Sequence, residues 1–181
     1  APTRSDIVID AVRKAADNGC LTVAAAGNSG GPVQWPARHE AVVAVSAVGE
    51  MGAFPYNTLS RSHLSHSAAA AGELELASFS ARGSEVDCCG PGVGIVSTVP
   101  INAPGDDFWQ PLDGTSMAAP AVCGVLARSL AKSGEYRSFR RDRDREIFAR
   151  SVLRNLCRDR RLPQPAQGWG LPTCGGADEP S

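Results

Sequence analysis

Gly114-Thr115-Ser116-Met117-Ala118-Ala119-Pro120 sets the hydroxyl of Ser116 among small residues just where an apolar helix begins. Gly114 permits a tight backbone turn, and Ala118 and Ala119 leave space above the hydroxyl. Pro120 fits a helix start, because first-turn amides have no intrahelical acceptor. The run that follows, Ala121-Val122-Cys123-Gly124-Val125-Leu126-Ala127, is small or apolar on nearly every side and reads as a buried helix. Such a helix holds its first residues firmly, and its N-terminal amides and dipole favour negative charge beside Ser116. That suits the oxyanion of an acyl transfer. The same residue types also describe an ordinary N-cap, so spacing alone leaves Ser116 between nucleophile and cap.

A second stretch, Ala24-Ala25-Ala26-Gly27-Asn28-Ser29-Gly30, lies upstream of the first. Without Ser116, Asn-Ser-Gly would read as a turn. In this order the two stretches closely resemble the motifs of the subtilisin-like serine proteases, the subtilases. The likeness runs from about Asp6 to Leu130, and Gly168-Trp169-Gly170 echoes the family's closing turn. The resemblance implies that Ser116 is the nucleophile, that Asn28 is the side-chain oxyanion donor, and that Thr115 belongs to the donor region. It also implies a substrate wall at Ala25, Ala26 and Gly27 that is backbone-lined and does not select charge. The fold it implies is α/β, three-layered, with a mostly parallel sheet between helices and incomplete on its N-terminal side. The implied reaction is hydrolysis of a peptide or protein substrate through an acyl-enzyme. No cofactor is required. In relatives the residue matching Asp87 joins Pro and Val carbonyls around calcium, which makes Asp87 and the Pro36 loop the candidate metal position. One carboxylate alone otherwise reads as a hydrogen-bonded strand end.

The chain departs from the family in one large respect. The family's Asp and His motifs both precede its Ala-Ala-Gly-Asn stretch, and nothing before Ala24 resembles either. A serine hydroxyl is a weak nucleophile without a base. His39, His63 and His66 all follow Asn28, so using one of them requires a rearranged triad. Asp6 and Asp10 lie at a helix start, where carboxylates serve the dipole. The expected source of the missing Asp and His is an upstream part of the same protease. Two other readings stay open: a non-catalytic module that binds peptide or protein, and an esterase or acyltransferase using the same serine.

With 181 residues the chain suffices for one domain with a real core. Its net charge of -1 offers no electrostatic reason to expect nucleic acid or an anionic membrane as partner. It contains no apolar run of membrane-spanning length and no signal-peptide pattern. The first residue is Ala, in keeping with a fragment or processed chain, and the compartment stays open, secreted or extracytoplasmic only by family analogy.

Ile7, Val8, Ala11, Val12, Ala15 and Ala16 recur at helical spacing, and Asn18-Gly19 supplies a left-handed stop. Residues 21–25 read as a strand covered on both faces, 30–40 as loop, 41–48 as a second buried strand and 95–99 as another. Residues 52–77 read as a long loop inserted into the family pattern, and 102–111 as loop. The Arg- and Asp-rich run 137–145 reads as a solvated face, followed by a helix whose inner face is Ile147, Phe148, Ser151, Val152 and Leu156. The expected division is a partial catalytic domain over 1–161 and a Pro/Gly-rich tail over 162–181 whose last ten residues are disordered. The six cysteines do not form a dense disulfide pattern: Cys20 borders a strand, Cys123 falls in the apolar helix, and Cys88 and Cys89 are adjacent. Only Cys157 and Cys174 lie where a bridge forms easily, and their pairing stays open.

Overall fold

A computed structural model describes residues 5–55, 58–64, 73–100 and 108–174. Helix α1 (Asp6–Asp17) buries Ile9, Val12 and Ala16. It ends where Gly19, at φ 73°, lets the Gly19 and Cys20 amides donate to the carbonyls of Ala16 and Ala15. Strand β1 (Thr22–Ala25) follows at once and pairs in parallel with β2 (Val42–Glu50), in the register Thr22 to Val42 and Ala25 to Val45. Strand β3 (Leu74–Leu76) is antiparallel to β2, and β4 (Cys88–Pro91) is parallel to it. The carbonyls of Val45 and Ala47 accept from Ala26 and Ala77, and those of Ala44 and Val48 accept from Asp87 and Gly92. One edge of β2 therefore serves β1 and β3, and the other serves β4.

Strands β5 (Ile95–Thr98) and β6 (Trp109–Leu112) form an antiparallel hairpin. Helix α2 (Thr115–Lys132) follows, then α3 (Gly134–Ser138) and α4 (Arg143–Leu156). The chain closes with β7 (Cys157–Arg158), α5 (Gln164–Gln167) and β8 (Leu171–Pro172). Alternation along β2 separates the two faces of the sheet. Val43, Val45 and Ala47 pack with Ala118, Val122 and Leu126 of α2 and Leu153 of α4, whereas Ala44 packs with Ala26, Val33, Ala37 and Val86, and Val42 with Val12 of α1. The sheet thus lies between helices, as an α/β fold requires.

Several expectations are corrected. Strand β1 is half-buried, not covered on both faces. Within 52–77 the structure has a short 3-10 turn, Leu59–His63, and strand β3, and within 102–111 strand β6 begins at Trp109, where cross-strand pairing overrides weak local propensity. Helix α2 buries one face only, so Cys123 is exposed, as is Cys20. Pro120 is the sixth residue of α2 and not part of its first turn, so the Ser116 carbonyl lacks its i+4 donor. In α4 the fully buried residues are Glu146, Ala149 and Leu153; of the expected face, Phe148 and Val152 pack partly buried against the core, while Ser151 is exposed and Ile147 is 54% exposed. None of the run 137–145 is buried; Glu146, just beyond it, enters the inner face because it pairs with Arg143 at 3.5 Å and Arg150 at 3.2 Å.

The stretch beyond Leu162 packs closely on the sheet. Ser46 Oγ donates to the Ala166 carbonyl, Trp169 N to Asp87 O and Cys89 N to Gly170 O. The final residues expected to be disordered lie, from 175 onward, outside the described residues. Cys157 and Cys174 are not bridged, and all six thiols are free.

Cys88 and Cys89 are fully buried in β4. A hydrogen bond to Cys157, with burial, raises the Cys88 thiol well above its usual range, and burial pushes Cys89 up to about 12. A maleimide at mildly alkaline pH therefore labels Cys20, Cys123 and Cys174 in the folded chain, and labels Cys88 and Cys89 only after denaturation. Peptide mapping by mass spectrometry checks this, and rapid native labelling of Cys88 or Cys89 contradicts it.

Candidate active site

Asn28 lies just past the carboxyl end of β1, the end at which open α/β sheets carry their ligands. Gly27 before it has φ 116°, and a Cβ there would meet the Gln34 side chain at 2.7 Å, so only glycine fits the turn. The Asn28 side chain is fixed through its oxygen. Oδ1 accepts from Thr115 N at 2.9 Å and from Thr115 Oγ1 at 2.7 Å. The Thr115 hydroxyl also accepts from Gly27 N at 3.2 Å, and the residue is 1% exposed. One buried hydroxyl therefore joins the end of β1 to the start of α2.

This arrangement determines which groups remain free. With Oδ1 engaged, Nδ2 of Asn28 has no partner among the described residues. It lies beside Gly114, where a Cβ would approach it to 3.2 Å. Gly114 is the N-cap of α2, so Ser116 is the second helical residue and does not cap. Ser116 is exposed, and neither its hydroxyl nor its amide bonds a protein group among the described residues. An exposed hydroxyl and two uncommitted N–H donors thus meet at the positive end of an 18-residue helix.

The model of the Subtilase family matches residues 2–170. The chain belongs to the subtilase family. It is 36% identical over 154 residues to the major intracellular serine protease of Bacillus subtilis (strain 168), covering 81% of this chain and 39% of that protein. Similarity to subtilisin DY of Bacillus licheniformis is 35% over 136 residues, covering 72% of this chain and 40% of the relative. Alkaline elastase YaB of Bacillus sp. (strain YaB) is 37% identical over 118 residues, 65% of this chain and 24% of its own. This subtilase chain thus spans about two-fifths or less of the length of these relatives.

Within the subtilase chain, Ala25, Ala26 and Gly27 lead directly into Asn28. The polar main-chain groups of Ala26 and Gly27 are already taken: Ala26 N donates to Val45 O and its carbonyl accepts from Gln34, while the Gly27 carbonyl accepts from Ala81. These main-chain groups are therefore engaged within the protein. His39 is buried, and its Nδ1 accepts from Ala41 N at 3.1 Å, which places its proton on Nε2. His63 points its Nε2 toward Asp113 Oδ2 at 3.7 Å. Neither histidine hydrogen-bonds Ser116, and His66 lies outside the described residues.

Asp87 is held by a different set of contacts. Its Oδ2 accepts from Ala44 N at 2.8 Å, and Oδ1 lies 3.9 Å from Arg150. Burial raises its carboxyl above the usual range, against the lowering effects of the Ala44 amide and of Arg150. Among the described residues no three His, Cys, Asp or Glu side chains converge on a metal position. A guanidinium already stands beside Asp87 as its counter-charge, so these side chains fit a calcium ion poorly.

Sequence reasoning did not single out Asp113, which stands directly before Gly114. Gly94 N donates to its Oδ1 at 2.5 Å and Ser60 Oγ to its Oδ2 at 3.0 Å. The one available signal was an acidic residue adjoining the Gly-Thr-Ser stretch.

Thr115→Val removes the hydroxyl at nearly constant shape, leaving the Gly27 amide without its acceptor. The expected loss is about 1–3 kcal/mol of folding stability. Thr115→Ser keeps the hydroxyl and most of that stability. Parallel denaturant unfolding checks this, and a larger loss in Thr115→Ser than in Thr115→Val would assign the effect to methyl packing.

Proposed function

We propose that this chain is the nucleophile-bearing part of a subtilisin-type serine endopeptidase. The observation that carries the reading is the paired engagement of Asn28 Oδ1 by Thr115, which leaves Nδ2 beside the free Ser116 amide. In the proposed reaction Ser116 Oγ attacks the scissile carbonyl carbon and gives its proton to a histidine base. The carbonyl oxygen becomes an anion that accepts from Asn28 Nδ2 and Ser116 N. Collapse of this intermediate expels the amine, which takes the proton from the histidine, and leaves an ester on Ser116. Water, deprotonated by the same base, then hydrolyses the ester. The wall at Ala25, Ala26 and Gly27 receives a substrate side chain without selecting its charge.

The base and its Asp are assigned to an upstream part of the same protease. Support comes from α2, whose Pro120, Cys123, Gly124 and Ala127 are exposed, and from β1, which pairs only with β2 among the described residues. A strand edge and a small-residue helix face left open in this way suit a further β-strand and helix. Calcium near Asp87 is not needed for any step. A non-catalytic peptide-binding role describes the chain if the upstream region lacks the base. Esterase activity is separated from peptidase activity by comparing peptide and ester substrates.

The chain by itself is expected to show no appreciable peptide hydrolysis and no rapid fluorophosphonate labelling at Ser116, since no base among the described residues is in contact with that hydroxyl. Stoichiometric labelling of the isolated chain would point to an internal histidine instead.

In the whole protease, Asn28→Ala removes a donor directed at charge that exists only in the transition state. Turnover falls by about 10²–10³ and KM changes little, a scale that comes from an oxyanion-hole asparagine of subtilisin itself. Kinetics beside a thermal melt check it. Intact turnover with a lowered melting temperature would make Asn28 a turn residue only.

A further inference from the structure

The loops carrying Asn28 and Ser116 are joined a second time, by a route independent of Thr115. The ring of His63 stands edge-on to Phe79, with centroids 5.0 Å apart and planes at 81°. The Phe79 carbonyl accepts from Gly30 N at 2.7 Å, two residues beyond Asn28. On its other side His63 Nε2 faces Asp113 Oδ2, three residues before Ser116. Contacts therefore run without a gap from the Asn28 loop through Phe79, His63 and Asp113 to the start of α2.

The turn that supplies His63 is itself anchored. Ser60 is 1% exposed and donates to Asp113, while Leu64 is buried in the core beside Val93 and Ala77. Ser78 N donates to the His63 carbonyl at 2.8 Å. Asp113 also receives the Gly94 amide, so its carboxylate gathers the Leu59–His63 turn, the start of the β5–β6 hairpin and the approach to the nucleophile. Asp113 also poses an electrostatic problem. An uncompensated carboxylate so near Ser116 would oppose a forming oxyanion. Two hydrogen-bond donors and the imidazole face it and offset that field.

We propose that the Leu59–Leu64 turn braces the active site, with His63 and Asp113 as positioning residues that set the spacing between Asn28 and Ser116. The bonds through Thr115 fix the Asn28 side chain, and the second tie acts further along the same loop, linking Gly30 through Phe79, His63 and Asp113 to the approach to Ser116. This inference rests on the protease reading and adds to it a role for the long connection between β2 and β3.

The test uses the whole protease, with this chain joined to its upstream region. Asp113→Ala, Asp113→Asn, His63→Ala, the His63→Ala/Asp113→Ala double variant and Ser116→Ala are compared per folded molecule. Asp113→Ala is expected to lower kcat on the order of 10–100-fold, the scale of a misplaced reacting group. KM should stay within about twofold, because ground-state binding is little affected. Asp113→Asn keeps an acceptor for Gly94 N and should recover most of the loss. His63→Ala should show a smaller loss, and the double variant should fall no further than Asp113→Ala, since both residues act through one carboxylate. Should Asp113→Ala not fold, His63→Ala decides alone, because its side chain is 34% exposed and can be removed without emptying the core.

Full kcat in His63→Ala, or losses that simply multiply in the double variant, overturns the brace. If Ser116→Ala is inactive while the Asp113 and His63 variants keep full turnover, only the brace has failed. If Ser116→Ala still hydrolyses peptide, the protease reading fails and the brace with it.

Discussion

The arrangement of this site depends on what the hydroxyl of Thr115 can do that no other small group can. It donates to Asn28 Oδ1 while accepting from Gly27 N, and the amide of the same residue supplies the second donor to Oδ1. Valine would fill the space and provide neither bond, and alanine would also leave a void. Because an amide side chain has one acceptor end and one donor end, occupying the acceptor determines where the donor points. The direction of Asn28 Nδ2 is thus set by a residue that need not touch substrate.

That hydroxyl is useful only because both segments it joins are rigid. Strand β1 is held in parallel register against β2, whose residues from Val42 to Gly49 are all buried. Helix α2 packs through Ala118, Val122 and Leu126 on the same strands. Small side chains bring these layers close: a Cβ at Gly90 would lie 2.8 Å from the Ala118 carbonyl, so this glycine lets α2 settle on β4. The closing segment supports the sheet from its far edge, since Gly168, Trp169 and Gly170 bond across to β4 and Asp87. The Gly-Trp-Gly echo in the sequence therefore corresponds to a structural tie.

The two chemical motifs were legible because each combines an unusual backbone requirement with a reactive group in a fixed order. Helix α1 and strands β1, β2 and β5 were legible as elements because their apolar spacing and β-branched content are local properties, but the face α1 buries is Ile9, Val12 and Ala16, with Ile7, Val8 and Ala11 exposed. Non-local features were not. Ile147 looked like a core residue by spacing, yet the face that meets the core is set by Ala149 and Leu153 with Glu146 neutralised by two arginines. Cys123 looked buried because its helix is apolar all round, but one face of α2 has nothing over it among the described residues. Ser60 and His63 share one turn but lie some fifty residues before Asp113, none of the three carries a periodic signal, and only the fold brings the turn to that carboxylate.

The separation of donors from base also has an energetic meaning. In subtilisin itself, loss of the serine or the histidine costs about 2 × 10⁶ in turnover, while the oxyanion hole and binding retain roughly 10³–10⁴ over water. The larger share depends on a proton acceptor at Ser116, and none touches that hydroxyl among the described residues. The smaller share depends on donors that are already held in place, by Thr115 and by the first turn of α2. Preorganised donors are effective because they need not reorient as charge develops. On the proposed reading, a proton acceptor brought to Ser116 would therefore meet donors already in position, and its own placement would be the remaining requirement for chemistry.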